Sequence, residues 1–251
     1  MELHKQFKIR SSAIGKIMTN PQTVAARDRG DLSKTAQTWC DEWIRDYVYN
    51  RRAEIASKYT AKGHITEESS IDIISRVLDI PFISKNDVQF SNDWITGEPD
   101  ILPEFEPHTD LIIDAKNSFS YETFPLLFTH LPNKDYRWQG QGYMAMTGRK
   151  HYKVAYVLSN TPDHMIVSAA LSHGRLYGET ELKPEMYYKY KKLMTYDDVP
   201  DELRVRVFDF DRDEDEIESI YRRVEQCREY IKKRVATLPR DKNNNLIITK
   251  R

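Results

Sequence analysis

The feature that most constrains this chain is a short apolar run, Leu111-Ile112-Ile113, that leads directly into Asp114-Ala115-Lys116. Consecutive branched residues that give way to charge so soon read as a buried β-strand rather than a helix. Side chains two apart on a strand share a face, so Asp114 and Lys116 project from the same side of a sheet. Upstream, Asp87 to Phe90 and Trp94 to Gly97 read as paired strands around a turn at Ser91-Asn92-Asp93. Downstream, Val154 to Leu158 and Met165 to Ala169 read as further strands. Helices surround this middle section. Ser33 to about Ala56 carries Ser33 as N-cap, and Trp39, Trp43 and Tyr47 recur every four residues on what reads as a core-facing side. Thr66 to about Leu78 has Thr66 as a candidate N-cap and Ile71, Ile74 and Val77 as its apolar stripe. Tyr136 to Met146 is stopped by Gly148, and helices follow at Pro184 to Leu193 and Glu214 to Arg234. This order predicts an α/β fold with a central mixed β-sheet flanked by helices. It is expected as one domain over residues 1–240, with its core at about 60–170 and a polar tail at 241–251.

Composition narrows the class. The two cysteines, Cys40 and Cys227, lie far apart and form no CxxC pair, against a zinc finger, an iron–sulfur cluster or a disulfide scaffold. Residues 1–10 are polar and mixed in charge, and no stretch approaches the roughly 20 apolar residues that span a bilayer. A soluble, cytoplasmic protein is expected. The net charge of −1 hides a segregation: residues 209–218 are acidic, whereas Lys134, Arg137, Arg149, Lys150 and Lys153 crowd one stretch. That stretch is a candidate phosphate-facing surface, with Arg137 as its nominated contact.

The chemistry concentrates on three residues. Glu98-Pro99-Asp100 follows one strand and Asp114-Ala115-Lys116 closes the next. If the strand at Trp94 to Gly97 lies beside Leu111 to Ile113, Asp100 approaches Asp114 at the strand ends. Clustered carboxylates need a compensating cation, and oxygen donors suit Mg²⁺, or Mn²⁺ in its place, better than zinc. Such an ion binds a phosphodiester oxygen and lowers the pKa of a bound water, with Lys116 orienting or deprotonating that water and stabilising the phosphorane. A D-x-K triplet alone is weak in a chain this charged. The rival, Glu181-Leu182-Lys183, lies outside any apolar strand and has no upstream acid on a strand.

Four segments in order give the triplet its weight: Gly63-His64-Ile65-Thr66-Glu67, Glu98-Pro99-Asp100, Asp114-Ala115-Lys116, and Gln139-Gly140-Gln141-Gly142 followed by Thr147-Gly148. Together they resemble the PD-(D/E)xK nuclease superfamily, and within it the lambda-exonuclease/YqaJ-like phage recombination exonucleases. The resemblance implies a restriction-endonuclease-like core. It also implies metal ligation by Asp100, Asp114, the carbonyl of Ala115 and Glu67, with Glu68 a close rival to Glu67. Lys116 would be the catalytic lysine and Gln139 would hold Lys116 or the water, with Gln141 as second candidate and possible phosphate contact. Arg10-Ser11-Ser12 resembles the family segment that receives the terminal 5′-phosphate, with Arg10 and Ser12 as contacts.

The resemblance further implies a 5′→3′ exonuclease on duplex DNA ends that leaves 3′ overhangs for recombination. It implies a ring-shaped homotrimer, a single-strand annealing partner and a phage origin. A PD-(D/E)xK endonuclease and an inactive DNA-binding relative are the alternatives. A Cas4-like enzyme fails, because it carries four cysteines for an iron–sulfur cluster.

Overall fold

The computed structural model describes residues 2–51 and 58–249. In chain order its elements are β1 (Ile9–Arg10), α1 (Ile14–Ile17), α2 (Val24–Asp28), α3 (Lys34–Tyr49), α4 (Lys58–Ile65) and α5 (Glu67–Leu78). There follow β2 (Phe90–Ser91), β3 (Ile95–Gly97), β4 (Leu111–Asn117), α6 (Asp135–Thr147) and β5 (His151–Val157). The last are α7 (Asp163–Leu176), α8 (Pro184–Met194), β6 (Val205–Asp211) and α9 (Glu214–Val235).

The expected α/β class is observed, with the sheet divided into two mixed three-stranded sheets, β1-β3-β2 and β4-β5-β6. In the larger, β4 runs parallel to β5 and β5 antiparallel to β6, with Asp114 opposite Val154 and Lys116 opposite Tyr156. At the other edge of β4, Ile101 and Ile113 exchange two backbone hydrogen bonds of 3.1 Å, and Lys85 bridges Ile101 in turn.

Two helices cover the faces of this sheet. Ile71, Ile73 and Ile74 of α5 pack on Ile113, Ala155 and Val157. On the opposite face, Tyr143 and Met144 of α6 pack on Ile112, Tyr152 and Val154. Because side chains alternate along β4, Asp114 and Lys116 emerge on the α6 face with Ile112. A third cluster joins α1, α3 and α9 to Ile9 and Ile95 of the smaller sheet, with Trp39, Trp43 and Tyr47 half-buried against it.

Glycine lets α6 come this close. A Cβ on Gly140 would sit 2.7 Å from the Phe210 ring and 2.8 Å from that of Tyr152. Gly140→Ala is therefore expected to destabilise the fold by about 1–3 kcal/mol through overpacking, read as a lower unfolding midpoint in urea. At the helix C-terminus Gly148 takes a left-handed conformation, φ 77°, and its N–H donates to the Met144 carbonyl, the stop that the sequence predicts.

Ser33 caps α3 as expected, its Oγ accepting from the Ala36 N–H at 3.0 Å. The helix ends at Tyr49 with Asn50 left-handed at φ 46°; the part of the predicted helix over residues 52–56 lies outside the described residues. Thr66 stands at the N-cap of α5 without capping it, because its hydroxyl donates to the Lys62 carbonyl instead. The segment Met165 to Ala169, predicted as a strand, is helical within α7. Only Ile166, Ala170 and Gly174 of that helix are buried, a four-residue spacing that a strand cannot provide. The strand β6 has no counterpart among the predicted elements, because its aspartates sit at non-buried positions and belong to a stretch that reads only as acidic. No described helix is long and apolar enough to cross a membrane.

Candidate active site

Asp100 and Asp114 meet across the edge of the larger sheet. The route differs from the one the sequence suggests: β3 pairs with β1 and β2, and the extended backbone at Ile101 lies beside β4 instead. Asp100 Oδ2 accepts from the Ala115 N–H at 2.9 Å. Asp114 is fully buried; its Oδ1 accepts from Gln139 Nε2 at 3.2 Å, and its Oδ2 lies 2.7 Å from Lys116 Nζ. That second contact is a close ion pair. The Lys116 side chain is 21% exposed, with its ammonium 4.9 Å from the centre of the Tyr136 ring.

The electrostatics follow from burial. Desolvation, and then repulsion from Asp114, push the Asp100 carboxyl up to about 8 despite the Ala115 N–H and Lys116. Desolvation works against the charge on Lys116, but Asp114 and Asp100 outweigh it and hold the ammonium above the usual lysine range. Tyr143 is also raised, by burial and by the same two acids; its hydroxyl donates to the Glu98 carbonyl at 3.0 Å.

A buried polar network fixes the N-terminus of α5 to the exit of β4. Ser70 Oγ and Ser159 Oγ both donate to Asn117 Oδ1, at 2.6 and 2.9 Å, and Ser159 also meets the Thr66 hydroxyl at 3.1 Å. Lys62, buried to 1% exposure, donates to the carbonyls of Ser118 at 3.1 Å and Phe119 at 2.9 Å. Desolvation lowers this ammonium to about 8. The network positions Glu67 in the first turn of α5, where Lys85 Nζ donates to its Oε2 at 2.8 Å. Glu68 beside it is exposed.

The other candidates separate. Gln139 reaches the site but holds Asp114 rather than Lys116. Gln141 does not reach it: fully buried, it donates to the Asp211 carbonyl at 2.9 Å and accepts from the Asp213 N–H at 2.9 Å, closing the β6–α9 turn. No phosphate can approach it there. Gln141→Leu is expected to destabilise the chain by about 1–3 kcal/mol for each backbone group left unpaired, measured by thermal unfolding. Arg137 Nε donates to Glu216 Oε1 at 2.8 Å, and its guanidinium lies over Phe210. Arg149 donates to the carbonyls of Pro103 and Leu111, and Lys150 pairs with Asp110. Much of the basic stretch is thus committed within the fold.

Arg10 lines a separate cavity of about 810 Å³ beside β1 and α3, with Trp39, Trp43, Tyr47 and Thr96. Ser12 is exposed in the turn before α1, while Ser11 is buried with an unpartnered hydroxyl. The rival triplet lies in the loop between α7 and α8, where Lys183 pairs with Glu179. Lys85 and Tyr136, by contrast, belong to no motif and were visible only once the chain was folded.

Two buried carboxylates that share the ammonium of Lys116 and repel each other fit a hard divalent cation. Among the described residues no group of three His, Cys, Asp or Glu side chains is arranged to hold a metal.

No family model and no curated protein matches the sequence. Solved structures match the fold. A phage related exonuclease from Haemophilus somnus 129PT superposes with a TM-score of 0.72 at 25% identity, covering 92% of this chain and 96% of that one. An alkaline exonuclease from Laribacter hongkongensis, LHK-Exo, gives a TM-score of 0.52 at 14% identity, covering 94% and 96%. LHK-Exo in complex with dAMP gives 0.52 at 16% identity, covering 91% and 93%. The first of these bears out the resemblance that the four motifs suggest, and LHK-Exo shares the fold.

Proposed function

We propose that this chain, whose fold is that of the lambda-exonuclease-like nucleases, is a divalent-metal-dependent exonuclease acting on the ends of duplex DNA. The observation that carries the reading is the buried pair Asp100 and Asp114 with Lys116 beside it, at the end of β4 in a fold shared with a phage related exonuclease. Asp100, Asp114 and the Ala115 carbonyl would hold Mg²⁺, or Mn²⁺ in its place, with Glu67 joining them on leaving Lys85. When bound, the ion supplies Lewis acidity toward a phosphodiester oxygen and a lowered pKa for its water.

The protein's own groups set up that chemistry. Gln139 and Lys116 fix the Asp114 carboxylate so that it needs no reorganisation as charge develops. Lys116, paired with Asp114, is placed to donate to a phosphate oxygen or to orient the attacking water. Its burial beside Tyr136 strengthens that interaction relative to water. The 5′→3′ polarity, the 3′ overhangs, the ring trimer, the annealing partner, and terminal-phosphate binding by Arg10 and Ser12 complete the proposal. They rest on the motif resemblance.

Purified protein incubated with linear and closed-circular duplex DNA plus Mg²⁺ tests the reading. Degradation of the linear form alone supports it, and end-labelled duplexes give the direction. Nicking of closed circles would replace it with an endonuclease. An absence of cleavage under both Mg²⁺ and Mn²⁺ would overturn the enzyme reading altogether.

A further inference from the structure

Lys85 lies in none of the motifs, yet the fold carries it to the acidic edge. Its backbone bridges Ile101, one residue beyond Asp100, and the N–H of Asn86 donates to the Asp100 carbonyl at 2.7 Å. From there its ammonium reaches Glu67 at 2.8 Å, and Glu98 and Asp100 also lie within electrostatic range. We propose that Lys85 is a built-in counter-ion that holds Glu67 in the metal-free site and competes with the divalent cation for that carboxylate. This inference rests on the metal-dependent reading above.

The physical case has three parts. First, Glu67, Glu98 and Asp100 all act electrostatically on Lys85, so its ammonium sits in an acidic neighbourhood at the sheet edge. A lysine supplies one positive charge there when no metal is bound. Second, the Lys85 side chain is 48% exposed on a long flexible stem, so it can leave Glu67 for water at little cost; exposed ion pairs of this kind are weak. It therefore delays metal entry without blocking it. Third, one carboxylate oxygen cannot serve the ammonium and the cation at full strength together, and Glu67 Oε2 is the oxygen that Lys85 holds. A site built this way fills with metal only when the divalent concentration is high enough to displace the lysine.

Calorimetric titration of Mn²⁺ into the metal-stripped full chain tests the competition without relying on turnover. Lys85→Met is expected to bind Mn²⁺ roughly tenfold more tightly than the unmodified chain, the effect of removing one like charge at close range. Lys85→Arg, which keeps the charge, is expected to bind as the unmodified chain does. In a Glu67→Gln background the gain from Lys85→Met is expected to vanish, since the contested carboxylate is gone. Circular dichroism confirms that each variant is folded. Equal or weaker Mn²⁺ binding by Lys85→Met, or a gain that persists with Glu67→Gln, overturns the competition and leaves the nuclease reading intact. No Mn²⁺ uptake by any form overturns both.

Discussion

Asp114→Asn is expected to slow DNA hydrolysis by at least about 10³-fold while the chain remains folded. Asp114 is the fully buried hub of the site, receiving Gln139 on one oxygen and Lys116 on the other. Asparagine keeps the shape and an oxygen for Gln139 but removes the charge that a cation and Lys116 both need. Lys116 retains Asp100 as a neighbouring acid, so the fold does not keep an isolated buried ammonium. The substitution should therefore separate catalysis from folding better than alanine, which would also leave a cavity. Initial rates on an end-labelled linear duplex, with circular dichroism as the control, measure it. A variant that keeps more than a small fraction of the rate would remove Asp114 from the chemistry.

Which parts of this site the sequence reveals depends on how local their causes are. The shared face of Asp114 and Lys116 follows from strand alternation, and the end of α6 at Gly148 follows from its conformational freedom. Helix geometry adds that residues two apart point to nearly opposite sides, so only one of Gln139 and Gln141 can meet β4, but the sequence left open which. Other features were not local. The neighbour of β4 is the extended stretch at Ile101, and nothing in the composition of Trp94 to Gly97 says that it pairs with β1 instead. Lys85 meets Glu67 only through that same bridge. The strand β6 is disguised by aspartates, which an edge strand accommodates readily because their side chains reach water. In α7, Ile166 and Val167 suggest a strand, but only the four-residue spacing of the buried positions decides the matter, and that spacing appears only with burial in hand.

Asp100→Asn is expected to move stability and activity in opposite directions. Burial and Asp114 raise the Asp100 carboxyl from 3.8 to about 8 in the folded, metal-free chain. Between those values the folded state keeps a proton that the unfolded state has released. Stability contributed by this group is accordingly full below about pH 4 and falls as the pH rises toward 8. Asparagine is neutral throughout, can still accept from the Ala115 N–H, and removes the repulsion toward Asp114. In EDTA at pH 8 the variant should melt higher than the unmodified chain, with the difference shrinking toward pH 5. Relief of about 2 kcal/mol would raise Tm by roughly 4–8 °C in a chain of this size. Mg²⁺ or Mn²⁺ should raise the Tm of the unmodified chain by binding only its folded state, and should do so far less for the variant. Hydrolysis by the variant should fall by about 10³-fold or more, since a direct ligand is lost. Thermal scans at pH 5 and pH 8, with and without metal, check both halves. A variant that melts lower than the unmodified chain at pH 8 in EDTA would show that Asp100 is already compensated within the fold, and the case for a cation between Asp100 and Asp114 would lose its electrostatic basis.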